Sequence, residues 1–349
     1  WASGPAAAQF YRQHNLVSDQ PGVADHRDDN LVNAWGLVAS ATSPWWVANH
    51  GTGTSTLYNG HGVARSLVVT IPGGAPTGVV FNGGAGFVVH STTPPAAGPA
   101  LFIFSTENGV IAGWNPAVPP PPPSMQAQIA VDNSASGTVY KGLAIASTTT
   151  GDFLYASDFH HGRVDVFNSA FAAVQIPGAF TDSALPAGYA PFGIQNIGGT
   201  IYVTYALQDS DAHDDVAGVG HGFVDAYDTA GNLLRRVASR GRLNSPWGLA
   251  QAPASFGFFA GDLLVGNFGD GKINAFDLAQ AQGRGEAQQR GQLHSSSGAP
   301  LQIDGLWSLQ FGNGGSQDVS KDTLFFTAGP GGEHHGLFGT IVPAPPPAR

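Results

Sequence analysis

The sequence contains no cysteine, a single methionine and only three lysines. Without cysteine, disulfides and thiolate chemistry are excluded. Charged residues make up only 11% of the 349 residues, and the formal net charge is −10. Because a nucleic-acid site needs clustered Lys and Arg against the phosphates, we expect no nucleic-acid partner.

Long apolar runs and helical patterns are also missing. No stretch reaches the roughly 18 apolar residues that a membrane-spanning helix needs, so we expect no transmembrane segment. No segment keeps a helical apolar period over a substantial length. The sequence lacks a Gly-x-Ser-x-Gly elbow and a phosphate-binding glycine loop, which disfavours covalent serine catalysis and nucleotide binding. Metal-assisted chemistry, or binding without chemistry, remains.

Glycine is abundant instead, with 49 copies, and the glycines recur in two interleaved patterns. In the first pattern a residue that is aromatic in four of the six copies precedes a glycine, and a short apolar run follows. Ser308 replaces the glycine in the last copy. The copies are Trp35-Gly36-Leu37, Thr77-Gly78-Val79, Lys141-Gly142-Leu143, Phe192-Gly193-Ile194, Trp247-Gly248-Leu249 and Trp307-Ser308-Leu309. In the second, a glycine, four residues and an aromatic residue precede Asn or Asp. Its copies are Gly53–Asn59, Gly109–Asn115, Gly162–Asn168, Gly222–Asp228 and Gly271–Asp277.

Repeats of about 40–65 residues built from short strands are typical of propeller blades around a central channel. Six copies predict an all-β fold, a six-bladed β-propeller with four-stranded blades. The sixth copy has only three strands, so we predict that residues 10–18 (FYRQHNLVS) supply its fourth and close the ring. The domain prediction is one propeller over residues 1–342 and a proline-rich tail over residues 343–349. Within the third unit, Phe171–Ile176 is the predicted outer strand.

The residues before the repeated glycines are expected to lie at the channel mouth, where propellers bind ligands. Trp35, Phe192, Trp247 and Trp307 would form an aromatic cup for a sugar or an apolar ligand, or else would pack between blades. Lys141 is the only charged residue at these positions. It would either stabilise an anionic group at the mouth or extend into solvent.

The ends of the second strands supply candidate metal ligands. Asn49, Asp158 and Asn267 are equivalent in spacing and would ring a hard cation such as calcium, or else cap turns. In the second unit His90 or Ser105 holds the equivalent place.

Histidines follow the second strands as well. His50, His90 and His160 would bind a transition metal if their loops share one face. The predicted cofactor is therefore a divalent metal, calcium or zinc, with copper as the alternative. Asp304 lies in an apolar run, where burial would raise its pKa. The acidic insert at residues 206–221 begins like a calcium loop but lacks its glycine and glutamate, which favours a solvated loop.

Several phrases resemble a largely uncharacterised family of exported bacterial six-bladed propellers. They are Leu31–Leu37 (LVNAWGL), Gly51–Gly60 (GTGTSTLYNG), Val139–Leu143 (VYKGL), Tyr189–Phe192 (YAPF) and Ile303–Trp307 (IDGLW). The resemblance implies the propeller fold and a secreted or periplasmic protein whose signal peptide has been removed. More distantly, the blade pattern is similar to NHL-repeat and gluconolactonase-like propellers. That similarity implies calcium or zinc ligands at the channel, although no glutamate stands at the matching place.

These features lead to one main hypothesis and two alternatives. In the main hypothesis a metal-supported pocket at the channel mouth hydrolyses a small ester or lactone. Lys141 would stabilise the oxyanion and Asp304 would accept a proton. The first alternative is a non-catalytic propeller that binds a glycan or peptide, or belongs to an extracellular matrix. The second is a copper redox protein that uses the histidines. We expect a monomer with a small-molecule or glycan ligand.

Overall fold

The computed structural model describes residues 10–280, 285–315 and 320–345. Its strands, in chain order, begin with β1 (Phe10–Ser18), β2 (His26–Arg27), β3 (Ala34–Val38), β4 (Trp45–Asn49), β5 (Thr54–Tyr58), β6 (Ala64–Thr70), β7 (Pro76–Phe81), β8 (Val88–Thr92), β9 (Pro95–Pro99), β10 (Phe102–Thr106), β11 (Val110–Trp114), β12 (Gln128–Asp132) and β13 (Tyr140–Thr148). They continue with β14 (Gly151–Asp158), β15 (Arg163–Asn168), β16 (Tyr189–Ile197), β17 (Thr200–Leu207), β18 (Phe223–Tyr227), β19 (Leu233–Ser239), β20 (Pro246–Gln251), β21 (Leu263–Asn267), β22 (Ile273–Asp277), β23 (Gln288–Gln292), β24 (Leu306–Phe311), β25 (Leu324–Ala328) and β26 (Leu337–Ala344). In the described ranges the helices are single 3-10 turns at His50–Thr52, Ser134–Ser136 and Gly257–Phe259.

These strands form six antiparallel blades whose innermost strands contact one another in a closed ring, β3, β7, β13, β16, β20, β24 and again β3. The predicted six-bladed propeller is therefore confirmed. The blades are β3–β6, β7 with β10–β12, β13–β15, β16–β19, β20–β23, and β24–β26 with β1. The second blade also carries an inserted hairpin, β8–β9, between its first and second strands.

The inner-strand repeat exists because the blades approach too closely there for a side chain. A Cβ atom on Gly193 would lie 2.1 Å from the carbonyl oxygen of Trp247 in the next blade. On Gly248 it would lie 2.4 Å from the carbonyl oxygen of Trp307. Any larger residue would therefore push neighbouring blades apart. This close approach explains why a glycine returns in five of the six blades, with the small Ser308 in the sixth.

The second repeat encodes two turns. In four copies the leading glycine adopts a positive φ between the second and third strands: Gly53, Gly109, Gly162 and Gly271. The closing Asn or Asp begins the next turn and accepts hydrogen bonds from backbone N–H groups two to four residues onward, as Asn168 does from Ala170 and Ala172. The two ends of the second repeat therefore mark two turns, and the third strand of the blade lies between them.

The predicted outer strand of the third blade is wrong. Phe171–Ile176 forms only an isolated bridge between Phe167 and Ala173, so this blade has three strands. Phe171 adopts a φ of 58°, which turns the chain directly after Asn168, and Pro177 has no N–H to continue a ladder. Phe171 and Val174 of this segment are partly buried and pack against the hydrophobic core on either side of the blade.

The predicted ring closure is confirmed. β1 pairs antiparallel with β26, from Phe10 opposite Ala344 to Ser18 opposite Leu337. The Ser18 hydroxyl also donates to the carbonyl oxygen of Gly336, 2.8 Å away. β26 thus extends two residues into the segment predicted as a tail, of which residues 346–349 lie outside the described part. The domain limits stay a prediction.

Two further sequence expectations concern longer segments. The acidic insert of the fourth blade lies between β17 and β18, as its position in the repeat predicts. Among the described residues, no helix has the length and apolar character needed to cross a bilayer.

Candidate functional site: a charged cleft at the channel mouth

Aromatic rings from several blades fill the centre of the propeller. The rings of Phe268 and Trp307 are stacked with centroids 4.0 Å apart, and those of Trp307 and Trp35 are 3.4 Å apart, both at 20°. His50 stacks on Trp35 at 5.3 Å and 18°. Two rings this close and this parallel to Trp307 must lie on its opposite faces. We call these four residues the central stack.

Only two of the four residues predicted to form the aromatic cup line the cleft at the channel mouth. Trp35 and Trp307 line the mouth cleft, whereas Trp247 and Phe192 pack against the stack and do not line it. Because both faces of Trp307 are covered, a sugar ring cannot stack on that residue. The indole N–H of Trp247 instead donates to the carbonyl oxygen of Lys141, 2.9 Å away.

The cleft above the central stack has a volume of about 460 Å³. Its wall brings together one lysine and four carboxylates from blades that are far apart in sequence. These residues are Lys141, Glu107, Asp214, Asp215 and Glu333. Such a cluster of titratable groups in a cleft is a candidate functional site with a physical rationale.

Lys141 lies at the centre of this cluster and does not extend into solvent. Its side chain is only 2% exposed, and Nζ donates to Glu107 Oε1 and, at 3.1 Å, to Asp214 Oδ1. The ammonium also lies 5.5 Å from the ring centroid of Trp35 and 5.8 Å from that of Phe159. Burial alone would lower the pKa of Lys141, but the two carboxylates outweigh it and raise that pKa, so the side chain stays charged.

Glu107 carries the compensating charge. Burial would raise its pKa, but the hydrogen bond from His50 and the Lys141 charge dominate and hold the pKa at about 2. His50 Nε2 lies 2.7 Å from Glu107 Oε2. On the other side of the ring, His50 Nδ1 lies 3.3 Å from the amide nitrogen of Asn33. Glu107 is thus ionised and held from two sides.

The acidic insert of the fourth blade folds over the mouth as a small hairpin. The N–H of Val216 donates to the carbonyl oxygen of Leu207, and Gln208 Nε2 donates to that of Phe159 in the third blade at 2.6 Å. This hairpin carries Asp214 to Lys141 and places the partly buried Asp215 in the cleft wall. Its Oδ2 atom is fully buried, and desolvation raises the pKa of Asp215 to about 6. The prediction of a solvated acidic loop is therefore wrong for Asp215.

One group of donors among the described residues has the spacing of a metal site. The ligand atoms of Glu107, His213 and Asp214 lie within 4.8 Å of one another. Lys141 already donates to two of these three residues, so a metal ion would compete with its ammonium. None of these three residues was among the metal ligands predicted from the sequence.

The predicted ring of Asn49, Asp158 and Asn267 forms three separate turns. Asn49 donates to Thr54 and Thr56 in its own blade. Asp158 accepts from His161, 2.7 Å away, and Asn267 donates to the carbonyl oxygen of Arg242 at 2.8 Å. Asp158 also accepts from the backbone N–H of His161, which matches the turn-capping alternative. Asn49 makes no side-chain capping bond, and within the described part of the chain the side-chain oxygens of Asn49 and Asn267 have no hydrogen-bond partner. The cation ring stays a prediction. In the second blade the structurally equivalent residue is Thr106, and not Ser105 or His90.

The predicted histidines and Asp304 are not brought together. His50 lies in the cleft, His90 lies exposed on the β8–β9 hairpin, and His160 lies exposed with its ring against His161. Asp304 is exposed and accepts a hydrogen bond from the N–H of Gly331, 2.8 Å away, so its expected burial is wrong. Gly305, the next residue, adopts a φ of 64° and turns the chain directly after Asp304.

Sequence reasoning missed Glu107, Asn33, Asp215 and Glu333. The spacing rule that works in the first and third blades points to Ser105, because the turn after β10 is one residue shorter than the turn after β4 or β14. Counting from the strand end, and not from the glycine, would have aligned Glu107 with His50. Asp215 stood in the acidic insert, whose length was the available signal.

No known protein-family model matches this chain. It is 33% identical over 346 residues to an uncharacterised protein of Acanthamoeba polyphaga mimivirus, a match that covers 96% of this chain and 81% of the relative. A second mimivirus protein is 32% identical over 350 residues, covering 96% and 87%. These relatives are viral, so the resemblance to an exported bacterial family stays a prediction.

Solved structures share the propeller fold. Virginiamycin B lyase from Staphylococcus aureus is similar with a TM-score of 0.51 and 11% identity, covering 96% of this chain and 99% of that chain. The PQQ-bound form of aldose sugar dehydrogenase from Streptomyces coelicolor is similar with a TM-score of 0.52 and 12% identity, covering 97% and 100%. At such identities the similarity shows the fold alone.

Proposed function

We propose that this chain, which belongs to the same family as the two mimivirus proteins, is an enzyme that hydrolyses a small ester or lactone in the mouth cleft. The observation that carries the proposal is Lys141, a buried ammonium held by Glu107 and Asp214 in the wall of an open cleft. The fold is shared with a lyase and a dehydrogenase, and these residues, not the fold, support the proposal.

Lys141 would stabilise the oxyanion of the transition state. An ammonium has three N–H donors, and two of them are used by Glu107 and Asp214. The third remains for a substrate oxygen in the cleft. Because the two carboxylates fix Nζ before substrate arrives, this donor needs no reorganisation during the reaction. Preorganised donors of this kind contribute about 10²- to 10³-fold to the rate.

Asp215 would accept the proton of the attacking water, the role that the sequence suggested for Asp304. Its pKa of about 6 lies close to neutral pH, as a general base requires. At pH 7 the carboxylate is ionised and still basic enough to take a proton. Asp215 and Lys141 line the same cleft, so one substrate can reach both groups.

A divalent cation is an alternative to the Lys141 ammonium in this proposal, because it would take the carboxylates that hold Lys141. Glu107, His213 and Asp214 would hold it, because their ligand atoms lie within 4.8 Å of one another. Two carboxylates and one imidazole suit zinc better than calcium, which prefers oxygen ligands alone. When bound, the cation would polarise the substrate carbonyl. Lys141 would have to release both carboxylates, so we expect weak binding. Elemental analysis of protein purified without chelators tests this step.

Activity on a panel of small esters and lactones tests the whole proposal. We expect Lys141→Met and Asp215→Asn to lower kcat by at least 10²-fold, while the exposed controls Lys321→Met and Asp211→Asn retain activity. Hydrolysis unchanged in both cleft variants would overturn the assignment. If no substrate is hydrolysed but a glycan or peptide binds, the non-catalytic alternative replaces the enzyme.

We also propose a location outside the cytoplasm. The bacterial resemblance supports a secreted or periplasmic protein, and fractionation of the native host with an antibody against the chain tests it. Recovery in the cytosol alone would contradict export.

A further inference from the structure

Asn33 joins three residues of the mouth through one side-chain amide. Its Oδ1 accepts the indole N–H of Trp307 at 3.0 Å, and its Nδ2 lies 2.7 Å from Glu333 Oε2 and 3.3 Å from His50 Nδ1. The side chain is buried, and the backbone φ of 47° lies in the left-handed region, which Asn tolerates better than most residues. Asn33 therefore suits this place in both backbone and side chain.

The orientation of the Asn33 amide follows from Trp307. An indole nitrogen can only donate, so the Asn33 atom that faces it must be the oxygen. The amide NH₂ must then face Glu333 and His50, and its two hydrogens suffice for both. Gly329 leaves the space for this arrangement, because a Cβ there would lie 2.2 Å from Asn33 Oδ1.

The amide in turn fixes the protonation of His50. A nitrogen that faces an NH₂ group must accept, so Nδ1 of His50 carries no proton. The neutral ring then has its proton on Nε2, where it donates to Glu107 at 2.7 Å. A proton on Nδ1 would place two donors against each other. Trp307 thus orients Asn33, Asn33 sets the tautomer of His50, and His50 donates to Glu107.

We infer that Asn33 is a positioning residue that holds His50 in the Nε2–H tautomer, so that His50 donates to Glu107 and leaves Lys141 aligned on the other carboxylate oxygen. The catalytic consequence rests on the proposed hydrolase function, whereas the tautomer does not. His50 is then a donor in this network. To ligate a metal it would have to give up its bond to Asn33 or to Glu107.

The first test reads the tautomer directly in the substrate-free protein. Histidine labelled with ¹⁵N distinguishes a protonated from an unprotonated ring nitrogen by NMR, and His50→Gln identifies the His50 signals by their loss. At a pH of about 8.5, where imidazole is ordinarily neutral, we expect an unprotonated Nδ1 and a protonated Nε2. A protonated Nδ1 in the unmodified protein overturns the inference.

The second test changes the partner of Nδ1. Asn33→Asp keeps the acceptor for Trp307 and tolerates the same backbone, but it presents an oxygen to His50, so Nδ1 should gain a proton. This substitution is combined with Glu333→Gln in a double variant, because the new carboxylate at position 33 and that of Glu333 would otherwise repel each other. Glu333→Gln alone is the control. An unprotonated Nδ1 in the double variant contradicts the inference. Should that variant not fold, Gly329→Ala displaces Asn33 without changing its chemistry.

The third test separates positioning from a structural role. We expect Asn33→Ala to lower kcat about 10- to 100-fold with little change in KM, the size found when a hydrogen-bond partner that orients a metal ligand is removed. Equal kcat with an unchanged His50 tautomer would overturn the inference. If no hydrolysis is found in any variant, the proposed function fails, but the NMR result still decides the tautomer.

Discussion

Trp247 in the fifth blade donates its indole N–H to the main-chain carbonyl of Lys141 in the third blade, across 2.9 Å. The fourth blade lies between these two blades in the ring, so this hydrogen bond passes its inner end. It holds the backbone of the residue whose ammonium lies in the cleft. The position of Lys141 is therefore set in part by a blade that is not its neighbour in the ring.

We expect Trp247→Phe to lower the free energy of unfolding by about 1 kcal/mol more than Trp45→Phe does. Both tryptophans are buried, but the Trp45 indole nitrogen has no hydrogen-bond partner, so the control removes similar volume without a hydrogen bond. Chemical denaturation of the two variants measures the difference. Equal losses would mean that the bond to Lys141 contributes nothing to stability.

Glu107 predicts a pH dependence of stability. Its pKa falls from the usual 4.5 to about 2 in the folded protein, so folding favours the ionised form. The contribution is present above pH 4.5 and is lost as the pH falls toward 2. The shift corresponds to about 3 kcal/mol. We expect the stability difference between the unmodified protein and Glu107→Gln to have this size at pH 6 and to shrink below pH 4.

Denaturant titrations from pH 6 to pH 3 measure this difference. Asp215 and Asp225, whose pKa values are raised to about 6, are present in both proteins, so their opposite contribution cancels to first order. A difference that does not vary with pH would show that Glu107 is not ionised in the folded protein.

Asp215 predicts the pH dependence of catalysis. Burial raises its pKa from the usual 3.8 to about 6, and only the ionised form can accept a proton. We expect kcat/KM to rise about tenfold per pH unit below 6 and to level off above it. In Asp215→Asn the residual rate should lose this step. A step that persists in the variant would assign the base to another residue.

Tyr11 predicts how strongly the closing strand is held. Its ring is 1% exposed, lies 4.9 Å from the ring of Phe256, and its hydroxyl donates to the carbonyl oxygen of Phe256 at 3.1 Å. We expect Tyr11→Ala to cost about 3–5 kcal/mol, as for other buried aromatic residues. Tyr11→Phe should cost only about 1 kcal/mol, since it removes one hydrogen bond. Thermal and chemical unfolding compare the two, and similar losses would contradict this division.

The architecture was predictable because its causes are local. Gly193 and Gly248 recur because adjacent inner strands leave no room for a Cβ, and Asn168 recurs because its side chain closes a turn. Each cause acts within one repeat or between neighbours. A single sequence therefore contains it several times.

The site was less predictable because its contacts join single residues of different blades. Asn33 and Glu333 are 300 positions apart, and nothing in the repeat relates them. Glu107 was missed because the turn after β10 is one residue shorter than the equivalent turns. The spacing from the repeat is therefore off by one residue, and in a strand such a shift moves the side chain to the other face of the sheet. Lys141 was found because it breaks the repeat with a charge.

The pairing of β1 with β26 has a consequence for how the chain is made. During synthesis the first strand leaves the ribosome long before Ala344, its partner opposite Phe10, has been translated. Through that interval its backbone edge is unpaired, and so is open to other strands. The last blade is completed only after the final strand emerges. Newly made chains truncated before β26 should therefore aggregate through the segment that, in the finished protein, closes the ring.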